Sequence, residues 1–126
     1  MGYIAHHALV VTGCGDNIQN AHAKALEIFS TFDNQVRPVS PAGSSLVTGL
    51  MPGVVNSYET FAIVPDGSKE GWSDSDEGDR CRAELIAWLK RSDTYVDWAL
   101  IRFGGDDYDI ALVLDHYGAE PETDHP

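Results

Sequence analysis

Pro65 to Arg91 reads PDGSKEGWSDSDEGDRCRAELIAWLKR, and it carries five of the chain's eight basic residues. Asp66-Gly67 is a turn signal, because Gly enters positive φ freely and Asp bonds its own backbone. Ser73 to Asp76 offer several N-caps for a helix whose first N–H groups favour anions. Cys81, Leu85, Trp88 and Leu89 then fall at the spacing of one buried helical stripe, which predicts a helix over Asp76–Lys90. Before the turn, Ser57 to Val64 (SYETFAIV) reads as a strand. Strand, polar loop and helix follow in succession, the loop delivering Ser68, Lys69 and Trp72 to the helix start, and the remaining elements are assigned around them.

Upstream, Tyr3 to Thr12 (YIAHHALVVT) is apolar on both faces, as a central strand is. Strand alternation sends the adjacent His6 and His7 to opposite faces. One of them is expected to pack under a helix and the other to look into a pocket; which is which stays open, and His7 is included among the ligand contacts. Gly13-Cys14-Gly15 ends the strand, and Asp16 with Gln19 three residues later fits a capping box. Ile18, Ala21, Ala25, Ile28, Phe29 and Phe32 recur at helical spacing and predict a helix over Asn17–Phe32. The GCG segment lacks the third glycine of a dinucleotide loop and the Gly-Lys-Ser/Thr of a triphosphate loop, so neither is assigned. Between Gln35 and Asn56 the texture turns to Pro, Gly and Ser. Val36–Val39 fits a short edge strand, and Leu46–Met51 is either another strand or part of a loop over the sheet.

After the second helix, Tyr95–Phe103 (YVDWALIRF) and Tyr108–Leu114 read as strands around a Gly104–Asp107 turn. Tyr108, Ile110, Leu112 and Leu114 would share one face, with Asp109, Val113 and Asp115 on the other. The order predicts an α+β two-layer sandwich, with two helices on one face of a mixed or antiparallel sheet. A split β-α-β arrangement of the ferredoxin type is the nearest template, with the last strand an extra one. A single domain is expected over residues 1–118, followed by an acidic, disordered tail over residues 119–126.

Composition narrows the function. The 126 residues carry 20 acids against 8 Lys and Arg, a formal charge of −12. Such a field repels polyanions and argues against nucleic acid as a partner. Seven of the acids fall between Gly104 and Pro126, which hold no Lys or Arg; a solvated tail accounts for them, and so would a DNA mimic. No segment has the length of a membrane span and no signal peptide is visible, so a cytosolic protein with reduced Cys14 and Cys81 is expected.

The patterns YIAHHALVVT, AHAKALEIF, F-x-I-x-PDGSKEGW-x-x-SD-x-GD-x-x-R-x-x-x-I-x-WL and W-x-x-I-x-FGGDD together resemble a set of small proteins encoded by tailed bacteriophages and prophages. PDGSKEGW is the specific part. The chain departs from that pattern in its Pro/Gly/Ser segment over residues 37–56 and in RFGGDD where YGDD is expected. The resemblance implies an accessory protein working in the host bacterial cytoplasm.

No chemistry of turnover is spelled out. The five histidines show no His-x-x-x-His or His-x-Glu spacing with a further ligand. Neither cysteine has a nucleophile signature, and no His-x-Thr/Ser pair is present. Asp74/Asp76 and Asp106/Asp107 are explained by cap and turn roles. The expectation is therefore a non-enzyme without cofactor or metal. Ser68, Lys69, Trp72, Arg80, Arg82 and His7 are the expected contacts for a small anionic ligand, possibly a nucleotide signal. Against this stands the plain reading that Lys69, Arg80 and Arg82 neutralise the seven acids between Asp66 and Glu84. A small sandwich has little interior, so a homo-oligomer that walls the pocket is also expected. The alternative function is an acidic inhibitor or DNA mimic that occupies a basic host defence protein.

Overall fold

The computed structural model describes residues 5–35, 46–65, 73–92, 94–104 and 111–117. Two helices cover one face of a five-stranded antiparallel sheet, an α+β two-layer sandwich. The strands are β1 (Ala5–Cys14), β2 (Met51–Pro52), β3 (Tyr58–Ile63), β4 (Asp97–Gly104) and β5 (Leu112–His116). The helices are α1 (Gly15–Gln35) after β1 and α2 (Ser73–Arg91) after β3. Sheet order is β2-β3-β1-β4-β5. The first four strands thus follow the ferredoxin type, and β5 extends the sheet beyond β4.

β1 pairs along both edges. Leu9 lies opposite Ile63 and Leu100, and Val11 opposite Phe61 and Trp98. Directly opposed residues share a face, so these side chains form one apolar layer beneath the helices. Against them lie Ile18, Ala21, Ala25, Ile28 and Phe29 of α1, and Cys81, Leu85, Ile86 and Leu89 of α2. The expected α1 stripe is buried from Ile18 to Phe29, the side chain of Phe32 lying outside the described residues. In the α2 stripe Trp88 is only half-buried and Ile86 takes a buried place beside it. The helices also meet each other directly, where the Cys81 thiol lies 3.8 Å from the Ile28 carbonyl.

Two glycines explain the GCG segment without a ligand. A Cβ on Gly13 would stand 3.0 Å from Val96 Cγ1, so this position allows the chain after α2 to approach β1 closely. Gly15 has φ 61°, a conformation that turns β1 into α1 and that other residues resist. Asp16 consequently sits inside the first helical turn rather than before it, where its charge suits the helix dipole.

The Leu46–Met51 segment joins the sheet only in part. Val47 bridges Ile63, Thr48 N donates to Ala62 O at 2.9 Å, and β2 pairs with β3. His22 of α1 secures this edge: its Nε2 lies 2.8 Å from Thr48 O, and its ring meets Phe61 edge-on at 5.0 Å. The β2–β3 connection turns through Asn56 and Ser57, at φ 62° and 56°. Two consecutive positive φ values make the mirror-image turn that matches strand twist.

β5 departs from simple alternation. Leu100 pairs with Asp115 and Ile101 with Val113, leaving Leu114 as the extra residue of a bulge. Asp115 is thereby rotated onto the helix-covered side of the sheet, away from the face shared with Val113 that regular alternation gives it. The Val36–Val39 strand, the Gly105–Asp107 part of the last turn and the tail over residues 119–126 lie outside the described residues. Among the described residues no helix is long and apolar enough to cross a membrane.

Two outcomes test this arrangement. Phe61 is fully buried, so Phe61→Ala should lower the urea-unfolding free energy by about 3–5 kcal/mol; a loss below about 1 kcal/mol would contradict its central position. Ser57→Gly should raise stability by about 0.5–1 kcal/mol, since glycine relieves the positive φ at some entropic cost in the unfolded chain. A destabilised variant would contradict the turn.

Candidate functional site

A cavity of about 490 Å³ opens between α2 and the β4–β5 side of the sheet. Its floor comes from His7, Leu100, Leu114 and Asp115, and its wall from Arg82, Ile86 and Lys90 of α2. His7 reaches it because its parity on β1 matches Leu9 and Val11; His6, opposite Phe103, belongs to the other face. Arg102 is the register partner of His7 and stands beside it, with its Nε buried.

Arg82 is the unusual wall residue. It is only 5% exposed, the one charged side chain among the described residues to be buried. Removing a guanidinium from water is costly unless it is paired, and its Nη2 donates to Asp79 Oδ1 at 2.6 Å. A guanidinium has five N–H donors, and this bond uses one. Lys90 behaves similarly at the other end, with Nζ 2.8 Å from Asp115 Oδ2. Without the β5 bulge, Asp115 would not be on this side to meet it. The cavity therefore combines two cations, two carboxylates and His7 with apolar Ile86, Leu100 and Leu114. In a chain of net charge −12, local balance is a relative excess of positive charge.

Lys90 also borders a second cavity of about 370 Å³, lined by Tyr95, Trp98, His116 and Tyr117. Its Nζ lies 5.9 Å from the centre of the Trp98 ring, within the range of a cation–π contact. Leu100 floors the first cavity and Trp98 the second, two residues apart on β4. The two cavities thus follow one another along the crevice between α2 and β4. The first is mixed and charge-balanced, the second aromatic.

The structure brings together His7 and Arg82 of the six expected contacts. Arg80 is directed elsewhere, toward α1. It bonds Glu77 at 2.6 Å, Glu84 at 2.9 Å and Thr31 Oγ1 at 2.6 Å. The Glu77 hydrogen bond foremost, with the negative charge of Glu77 and Glu84, raises its pKa above the usual arginine range. Here the plain reading of charge neutralisation describes what Arg80 does. Ser68, Lys69 and Trp72 lie outside the described residues. Lys90, Tyr95, Trp98 and Tyr117 were not singled out from the sequence. Lys90 is a last-turn residue of α2, Tyr95 and Trp98 fall within the expected Tyr95–Phe103 strand, and Tyr117 lies beyond the expected strands; only the β4 register and the bulge place them around one crevice.

Among the described residues no group of three or more His, Cys, Asp and Glu is placed to hold a metal ion. Cys81 is fully buried, and burial pushes its thiol pKa up despite the neighbouring Arg80. A thiol held protonated is a poor nucleophile. No family model matches this chain, and no curated protein or solved structure matches it either.

In a Cys14→Ser background, Cys81 should therefore resist alkylation at neutral pH and react at the unfolded-thiol rate only in denaturant. Rapid labelling of the native protein, followed by mass spectrometry, would contradict the packing at the α1–α2 contact.

Proposed function

We propose that this chain captures a small anionic ligand of nucleotide type in the α2–β4 crevice and holds it without chemical change. The observation that carries this reading is Arg82, a guanidinium buried in the wall of a cavity whose other surfaces include Ile86, Leu100 and Leu114. An Arg–Asp pair at i and i+3 forms on any helix surface without burial. Drawing the guanidinium into a partly apolar cavity adds cost, which an incoming phosphate or carboxylate offsets through charge-assisted bonds. The adjacent aromatic cavity, with Tyr95, Trp98 and Tyr117, suits a planar heterocycle.

The phage-like sequence pattern supports a biological setting. A protein that withdraws a nucleotide immune signal from a host sensor protects the phage by binding alone. That role needs affinity rather than a nucleophile–base pair. The expected PDGSKEGW contacts Ser68, Lys69 and Trp72 immediately precede α2 in sequence, and we include them in the proposed binding element. The host bacterial cytoplasm is the proposed place of action.

Native mass spectrometry of protein recovered from bacteria with an active nucleotide-signalling defence tests this reading. The expected result is a bound mass in the nucleotide range, released unchanged on denaturation. Arg82→Gln should weaken binding by roughly 10- to 100-fold, the loss typical of one charge-assisted contact, and Lys69→Ala with Trp72→Ala should do likewise. Thermal melts of the variants, followed by circular dichroism, separate lost binding from lost folding. A protein that returns empty and co-purifies with a basic host protein overturns capture in favour of an acidic inhibitor. A chemically altered ligand overturns the absence of turnover.

A further inference from the structure

The sheet has a second face, and no described helix or loop covers it. Strand register places Val10, Ala62, Ala99, Ile101, Phe103 and Val113 on this side, opposite to the helix-facing layer. Phe103 is 44% exposed and Val113 60%. Among the described strand residues on this face, Asp97 is the one Asp, Glu, Lys or Arg. That is a sharp departure for a chain in which 28 of 126 residues are charged. A sheet face of this extent, with one carboxylate and the neutral polar positions His6, Thr12, Thr60 and His116 around its apolar side chains, marks an interaction surface.

The occupant can be argued from charge, chain and area. A basic protein needs carboxylates to meet it, and this face offers only Asp97. An intramolecular cover needs apolar side chains. The two longest segments outside the described residues, 36–45 and 118–126, contain Val36, Val39, Ala42 and Ala119 as their aliphatic side chains besides proline. The larger Tyr3, Ile4, Trp72, Tyr108 and Ile110 fall in segments of four to seven residues, each too short to cover a five-stranded face. A second copy of the chain presents what the face requires, an equally apolar surface, and among the described strand residues Asp97 alone brings a carboxylate to the contact.

The area is sufficient. The five strands, at about 3.3 Å per residue and 4.8 Å between strands, project to roughly 500 Å². Two copies therefore cover roughly 1,000 Å² in projection, at the threshold for a stable interface, and the accessible area that follows the side chains is larger. Ala8, Ala62 and Ala99 lie on adjacent strands near the middle of the face, where small side chains let two sheets approach to about 10 Å.

We infer that the protein is a twofold-symmetric dimer joined by the open faces of its two sheets. The contact is isologous, each copy offering the same strands. It lies on the side of the sheet away from the α2–β4 crevice. Dimerisation therefore leaves both crevices accessible from solvent and differs from the pocket-walling assembly expected from the size of the chain.

Sedimentation velocity tests this inference independently of any ligand. The wild-type chain should sediment at twice its 13.7 kDa mass. Val113→Asp and Ala99→Glu, each placing a carboxylate on both sides of the contact, should raise the dissociation constant by at least about 100-fold. Leu26→Glu, at an exposed position on α1, should leave the dimer intact and controls for added charge. Val113→Asp alters a mostly exposed side chain, so a native circular dichroism melt is expected even if Ala99→Glu unfolds. A monomeric wild-type protein overturns the inference, whatever else the face then binds. So does an assembly that survives Val113→Asp and Ala99→Glu in folded protein.

Discussion

Pairing on both edges of β1 is the constraint from which the rest of the structure follows. A strand flanked by neighbours on each side satisfies its backbone groups within the sheet and frees its two rows of side chains for different work. The row containing Leu9 and Val11 is sealed beneath the helices, and the row containing Ala8 and Val10 forms the middle of the bare face. A one-residue slip in register would exchange these rows. It would bury His6 in place of His7, expose Leu9 and remove the floor of the crevice. The proposed ligand site and the proposed self-contact are thus two sides of one register.

The bulge in β5 is a smaller device with a local effect. It brings Asp115 under the helix, where the carboxylate holds the end of α2 through Lys90. Nearer the helix start Arg82 is paired within α2 itself, by Asp79 one turn before it. Each cation along the crevice is therefore held by a carboxylate that an anionic ligand would have to outcompete or share. Such a site favours ligands with more than one negative oxygen, because a single acceptor replaces one good ion pair with another.

Much of the architecture was legible because it rests on long periodic patterns. The α1 stripe and the unbroken apolar run of β1 each repeat over enough residues to name their element, and those two elements with α2 determine a two-layer arrangement. The β2–β3 hairpin was not legible for a definite chemical reason. Its turn is Asn-Ser, where Asn-Gly would have announced the two positive φ values, and β2 contributes only Met51 and Pro52. The face of Asp115 was hidden by the bulge, since alternation carries no sign of an inserted residue. At the site, parity sends His6 and His7 to opposite faces but does not say which one a helix covers, while the nearness of Arg80 and Arg82 in sequence misleads. Two residues apart on a helix is about 200° around its axis, enough to send one guanidinium to α1 and the other to the crevice.

His22 has a consequence of another kind. By fastening Thr48 to α1 and resting on Phe61, it anchors the chain where it rejoins the sheet after residues 36–45. The preceding end of that segment is fixed by α1 itself. With both ends held independently of what runs between them, the closure entropy grows only logarithmically with length, about 0.6 kcal/mol for each doubling. A change in the length of that connection therefore costs little in closure entropy, and the two anchors, α1 and the His22–Thr48 bond, are set by residues outside it.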